Sequence, residues 1–348
     1  MRQTSLPAVL AALLCLALAA CKTDGTKPAP PAEPTAAPAP AVKTQVPVPA
    51  FSADSAFAHV AAQVSHGPRT AGSAGHGRTR AYIQQALERY GAEVSVQDFP
   101  AKFYDGTRAT GYNIVGSFNP DAPRRIFLCA HYDTRPLADS DLADPARRDE
   151  PILGADDGGS GVGVLLEVAR LLGRQPPGIE DFGVDLVFFD LEDFGESGGA
   201  DPQAATYTWG LGSQAWARQP HVEGYAPRFG ILLDMVGAEG AVFGKEAYSR
   251  QFAGDVQARV WNLARTMGRG DRFVEADIGY TTDDHFFVNT IAGFPTIDII
   301  YKPIGTNRGF GDHWHTHDDD LDVISRETLG DVGQVVTAAV YRAAGNML

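Results

Sequence analysis

Several residues able to do chemistry in this 348-residue chain stand directly behind short apolar runs. The run 126–130 delivers His131-Tyr132-Asp133, the run 186–189 delivers Asp190-Leu191-Glu192-Asp193, and the run 231–233 delivers Asp234. A single polar residue after a strand is ordinarily a cap or a turn former. Three such exits, each ending in a carboxylate or an imidazole, point to one crevice, because ligands of open α/β sheets bind beyond the carboxyl ends of the strands. Two further clusters join them. Gly154-Ala155-Asp156-Asp157-Gly158-Gly159-Ser160-Gly161 is a glycine-rich turn opening a helix. It lacks a Walker lysine and a complete G-x-G-x-x-G, and its paired aspartates repel phosphate, so it is not a phosphate cradle. Asp312-His313-Trp314-His315-Thr316-His317-Asp318-Asp319-Asp320 sets three histidines among four acids late in the chain.

Oxygen and imidazole donors without thiolate suit catalytic zinc, which takes three protein ligands and keeps a position open. Asp157, Asp193 and His315, one from each of three clusters, supply that set. Glu192, next to a ligand, is then the expected general base, since neighbours after a strand face metal and substrate respectively. Asp133 is expected to orient the imidazole of His131 by a hydrogen bond. Asp318, Asp319 and Asp320 lack the spacing of a calcium loop and read as a solvated turn.

The elements that carry these residues are legible as a pattern. Tyr82, Ile83, Ala86, Leu87 and Tyr90 recur at helical spacing up to Gly91, a helix C-cap signal. Val94, Val96 and Phe99 nearly alternate, as in a half-buried strand. The runs 126–130, 186–189, 231–233 and 297–301 are short and rich in branched and aromatic residues, as interior strands covered on both faces require. Helical patterns fall at 162–172, 212–217 and 256–267, and Ser325 is the expected N-cap of a last helix running to about Arg342. The alternation predicts an α/β fold: a mostly parallel, mixed central sheet flanked by helices on both faces.

Composition bounds the setting. Hydrophobic residues make up 44% and charged residues 21%, the proportions of a globular domain. With 43 acidic against 29 basic residues the net charge is -14, which excludes the basic footprint of a nucleic-acid binder. Residues 1–20 have the charge and apolar core of a secretory signal, too short to span a bilayer. Leu18-Ala19-Ala20-Cys21 resembles a bacterial lipobox, which makes Cys21 a lipid anchor and the only membrane contact expected. Residues 21–50 read as a Pro/Ala-rich linker in extended geometry, and 51–348 as a single catalytic domain. Lys22, in place of the aspartate that often retains lipoproteins at the inner membrane, places the protein in the bacterial envelope, at the outer membrane facing the periplasm. The pattern assigns no oligomeric state.

His131-Tyr132-Asp133, Gly154-Ala155-Asp156-Asp157, Phe188-Phe189-Asp190-Leu191-Glu192-Asp193, Leu233-Asp234, Asp283-Asp284-His285 and Trp314-His315-Thr316 occur in the order seen in a known superfamily. The chain resembles the M28-type zinc aminopeptidases and their relatives, the animal-type zinc-dependent glutaminyl cyclases. The resemblance implies a phosphorylase/hydrolase-like sheet and substrates that are the N-termini of peptides or proteins. In the aminopeptidases the matching positions hold two zinc ions: Asp157 bridges them, Asp193 and His315 bind one, His131 and Asp234 the other, and Glu192 activates water. In the cyclases Asp157, Asp193 and His315 hold one zinc, Glu192, Asp234 and Asp283 handle the substrate, and Trp314 and His285 belong to its pocket. The acid at 283 and the tryptophan before His315 favour the cyclase, which turns N-terminal glutamine into pyroglutamate and ammonia. An aminopeptidase is the alternative, and a tethered binding protein without activity is a third reading. Two features depart from the pattern: Asp193 stands where glutamate is usual, and Cys129 has no partner for the animal disulfide.

Overall fold

A computed structural model describes residues 42–198, 200–306 and 309–348. The expected signal segment, Cys21 and the linker up to residue 41 lie outside the described residues. Eight helices and eight strands follow in chain order: α1 (Ala53–Ser65), α2 (Ala74–Arg89), β1 (Glu93–Lys102), β2 (Arg108–Phe118), β3 (Arg124–His131), α3 (Gly159–Arg174), β4 (Phe182–Phe189), α4 (Pro202–Thr206), α5 (Leu211–Arg218), β5 (Gly230–Asp234), β6 (Phe243–Lys245), α6 (Ala247–Thr266), β7 (Phe273–Asp277), α7 (Asp284–Phe287), β8 (Thr296–Ile300) and α8 (Arg326–Ala344). Serine starts three of the helices: the side chains of Ser52, Ser73 and Ser325 accept from Ser55, His76 and Thr328 N–H, satisfying donors that have no partner within the helix.

The main sheet has the order β1-β2-β4-β3-β5-β8. The β1–β2 and β2–β4 pairs are antiparallel, whereas β4–β3, β3–β5 and β5–β8 are parallel. The parallel strands therefore release their chains at one edge of the sheet, and all the predicted polar exits arrive there. Alternate residues of β3 go to opposite faces: Ile126, Leu128 and Ala130 join α1, α2, α3, α6 and α8, while Phe127 and Cys129 join Trp216 of α5 and Val288. Burying a side chain such as Phe127 fully contributes roughly 2–3 kcal/mol relative to exposing it. Cys129 is buried and free, an apolar filler of the second core. Among the described residues no helix is long and apolar enough to cross a membrane.

Three local features differ from the expectation. The packed body reaches back beyond residue 51: Thr44 N–H donates to Gly345 C=O, and Val46 and Val48 pack on the core. A β1–β2 hairpin closes through Asp105-Gly106, with Gly106 at φ 88°. Its second strand is cryptic in sequence because Gly111 and Gly116 break the alternation. A Cβ on Gly111 would sit 2.2 Å from the Phe99 ring, which covers it. Helix α6 starts nine residues before the expected 256, because the Glu246 carboxylate caps it at Tyr248 N–H (2.9 Å) and Ser249 N–H (2.6 Å); a kink at Ala253 separates this turn from the periodic part.

Candidate active site

The loops at the carboxyl edge bring two acid–imidazole groups together around a shared residue. Asp157 Oδ1 lies 3.0 Å from His131 Nε2, and its other oxygen lies 3.6 Å from His315 Nε2. Asp193 Oδ1 is 3.0 Å from His315 Nε2, and Asp234 Oδ1 is 3.2 Å from His131 Nε2. Each set of three, Asp157–Asp193–His315 and His131–Asp157–Asp234, offers ligand atoms within 4.8 Å of one another, and all five side chains are buried. Residues far apart in the chain thus meet as the spacing predicted.

Each member is held from behind. Asp157 stands just before the N-terminus of α3, whose partial positive charge favours a carboxylate. Its turn is clamped by Asp319, which accepts from the backbone N–H of Asp156 (2.7 Å) and Asp157 (3.1 Å). Asp319 is fully buried, so the expected solvated turn is instead a clamp; burial, with Asp156 and Asp157 nearby, pushes its carboxyl up to about 7. Asp156 faces away from the ligands, accepting from Gly237 N–H (2.7 Å) and pairing with His313 Nε2 (2.9 Å). Gly158, at φ 73°, admits no side chain: a Cβ would approach the His131 ring to 2.6 Å. Leu191, Met235 and His315 hold left-handed backbone at φ 57°, 47° and 56°. Strain of this kind persists where the surroundings over-determine it, and here it turns each of three site loops.

Asp133 stands behind His131 and has a second task as well. Its oxygens accept from the backbone N–H of Glu192 (3.0 Å) and Asp193 (3.1 Å), while His131 Nδ1 lies 3.5 Å away, an ion-pair distance. Asp133 therefore shapes the β4 loop as well as backing the imidazole. Asp139 stands behind the second imidazole at a similar distance, 3.4 Å from His315 Nδ1, and is gripped by Arg135 Nε (2.8 Å) and Nη2 (2.6 Å). No sequence signal marked Asp139, which sits in irregular chain.

A cavity of about 270 Å³ opens onto Asp157, Glu192, Asp193, Asp234, Asp283 and His315, between the indoles of Trp209 and Trp314. Trp314 stacks on His315 with ring centres 3.6 Å apart, and Trp209 lies parallel to the same imidazole at 6.3 Å. Trp209 escaped the sequence reading; its one signal is its place beside Gly210, at the start of α5. Gly195 makes room for it, since a Cβ there would lie 2.0 Å from the indole. His285 does not reach this cavity. It is fully buried behind it, with Nε2 2.9 Å from Glu246 and Nδ1 3.6 Å from Asp298. The reason is local: the short α7 aims its first residues inward, and the capping carboxylate of α6 captures the ring.

The electrostatics divide the acids. Burial opposes ionisation of Asp157, but its bond to His131 and the nearby His315 and His313 hold the carboxyl below the ordinary range. Burial, then the neighbouring charge of Asp157, pushes Asp234 up to about 8. Glu192 is raised well above a normal glutamate, first by burial and then by Asp283, Asp193 and Asp284, with His131 opposing. Asp283 is raised by burial, against His285 and His131. Asp193 Oδ2 and Asp283 Oδ2 are buried without a hydrogen-bond partner. Orphaned buried polar atoms are costly, about 1–3 kcal/mol each, unless a ligand or ion completes them. Two carboxylates and one imidazole around one point, with a cavity on the open side, fit a zinc ion.

Comparison with known proteins adds to this geometry. The model of peptidase family M28 matches residues 113–340. A glutaminyl cyclase of Bacteroides thetaiotaomicron, solved with N-acetylhistamine bound, is 46% identical, covering 85% of this chain and 99% of its own at a TM-score of 0.81. A leucine aminopeptidase precursor from the same organism is also 46% identical over 85% of this chain and 99% of its own, at a TM-score of 0.80. The glutaminyl-peptide cyclotransferase of Drosophila melanogaster is 27% identical over 80% of this chain and 78% of its own length.

Proposed function

We infer the reaction from one premise: the chain belongs to peptidase family M28. Within that family we propose that it is a zinc-dependent glutaminyl-peptide cyclotransferase, an acyltransferase acting on peptides and proteins with N-terminal glutamine. The observation that carries this reading is the cavity wall. It sets Glu192, Asp234 and Asp283, three acids whose carboxyls are all raised, opposite the Asp157–Asp193–His315 group. The similarity to cyclases over most of the chain supports it.

In the reaction the α-amine of glutamine forms a C–N bond to its own side-chain carbonyl carbon, and the carboxamide C–N bond breaks to release ammonia. Glu192 takes a proton from the attacking amine and returns it to the departing nitrogen; a base with a raised pKa does both near neutrality. Asp234 and Asp283, whose carboxyls burial raises, orient the amine and the amide nitrogen. Trp209 and Trp314 wall the cavity beside His315 and offer aromatic surface to the substrate side chain. A single zinc held by Asp157, Asp193 and His315 would supply Lewis-acid polarisation of the carboxamide carbonyl. N-acetylhistamine, the ligand of the related cyclase, carries an imidazole, a group suited to an open zinc position.

The second group, His131–Asp157–Asp234, favours one other reading, a two-zinc aminopeptidase. A paired assay separates them. With a glutaminyl peptide and an aminoacyl amide, the cyclase releases ammonia and pyroglutamate from the first and leaves the second intact; free amino acid from the second would establish the peptidase. Anchoring through Cys21 at the outer membrane, facing the periplasm, completes the proposal, and loss of radiolabelled palmitate incorporation in Cys21→Ser is its test.

A further inference from the structure

One side chain on the cavity wall has no part in the cyclisation. Five carboxyl groups line the cavity, and Lys302 is the cation among them. It follows β8 by two residues and so leaves the sheet at the same edge as the catalytic loops. Its Nζ reaches Thr281 Oγ1 at 3.1 Å and Tyr280 C=O at 3.3 Å, and lies 5.4 Å from the centre of the Phe310 ring. Among the described residues no carboxylate comes within 4.0 Å of it. Burial pulls its pKa below the ordinary lysine value, opposed by the more distant Glu246 and Asp298. An ammonium has three N–H donors, and two are used here, by neutral acceptors. Its charge faces the Phe310 ring and no carboxylate among the described residues.

The position says where a partner for that charge comes from. A cavity of about 270 Å³ holds a single residue, so the rest of a peptide crosses the rim. That rim is Tyr280, 63% exposed, with Phe310 and Lys302. We propose that Lys302 is a specificity residue, pairing with a carboxylate that the substrate carries beyond its N-terminal glutamine. The inference rests on the cyclase reading and refines it: among glutaminyl peptides, those with an acidic second or third residue, or a free C-terminal carboxylate close behind the glutamine, are preferred.

The test is steady-state kinetics of the zinc-loaded protein on Gln-Ala-amide, Gln-Glu-amide, Gln-Lys-amide and Gln-Ala with a free carboxylate. An ion pair of about 1 kcal/mol gives roughly a fivefold preference, and 1.4 kcal/mol a tenfold one. Wild type is expected to show kcat/KM for Gln-Glu-amide ~5–10-fold above Gln-Lys-amide, carried in KM and weakened by salt. Lys302→Met brings that ratio near one and Lys302→Glu inverts it. Preference for Gln-Ala over Gln-Ala-amide, without one for Gln-Glu-amide, assigns the carboxylate to the C-terminus. Turnover of all four at equal efficiency by wild type, or an unchanged ratio in Lys302→Met, overturns the inference and leaves the cyclase standing. No pyroglutamate from any of them overturns both.

Discussion

Strand β4 and its exit carry two buried acids seven residues apart, in opposite condition. Asp185 lies inside the strand with four bonds: Oδ1 accepts from Ser117 Oγ and Arg125 Nη2, both at 2.6 Å, and Oδ2 from Arg125 Nε and Tyr225 OH, both at 2.8 Å. Burial opposes its ionisation, yet the nearby His221 imidazole (3.8 Å) and the bonds from Arg125 and Ser117 hold the carboxyl well below the usual aspartate range. Glu192, beyond the strand's end, faces acids and is raised. Around it lie buried carboxylate oxygens without hydrogen-bond partners on Asp193, Asp283 and Asp284. Burial alone is thus no sign of function. What separates the two is completion: one acid has its counter-ion and all its donors, and the other faces further acids across an open cavity.

Four changes sharpen or break this contrast. Glu192→Gln should retain its zinc and lose at least ~100-fold in kcat, the scale of a positioned acid–base, read by ammonia release and by metal analysis of the same sample. Full turnover by that variant removes Glu192 from the chemistry. Asp139→Asn takes away the carboxylate behind His315, and zinc affinity measured by competition with a chelator should fall about 10–100-fold. Trp209→Ala opens one wall of the cavity, for which a tenfold rise in KM, about 1.4 kcal/mol, is expected with kcat little altered. Asp185→Asn should leave turnover unchanged but lower the unfolding free energy by about 3 kcal/mol in urea, as does removing one partner from a buried ion pair. Its pH dependence has a definite sign. A carboxyl depressed on folding contributes stability that is present above the unfolded value near ~3.9 and disappears as pH falls through the lower folded value. The variant should therefore lose less stability on acidification than wild type.

Much of the molecule was legible because strand exits leave a local mark. An apolar run followed by an acid or imidazole needs no knowledge of distant chain, and β3, β4 and β5 with their polar exits are all of that kind. The residues that stayed hidden depend on contacts between segments. Asp139 and Trp209 matter only because other loops bring His315 beside them. Asp319 looked solvated because its two N–H partners come from a turn more than 160 residues earlier. His285 carried the motif's residue type but not its place, since Glu246, capping a helix start that lacks periodicity, draws it behind the cavity. Strand β2 was hidden by two glycines, one of them filled by Phe99 from the neighbouring strand.

The central claim is that the Asp157–Asp193–His315 group is the zinc site on which the proposed reaction depends. Crystals of the zinc-loaded protein, with diffraction recorded on both sides of the zinc absorption edge, test it most directly. An anomalous peak bounded by Asp157, Asp193 and His315 is expected, lost in His315→Ala together with pyroglutamate formation. A fully active protein with no peak between those three side chains would contradict it.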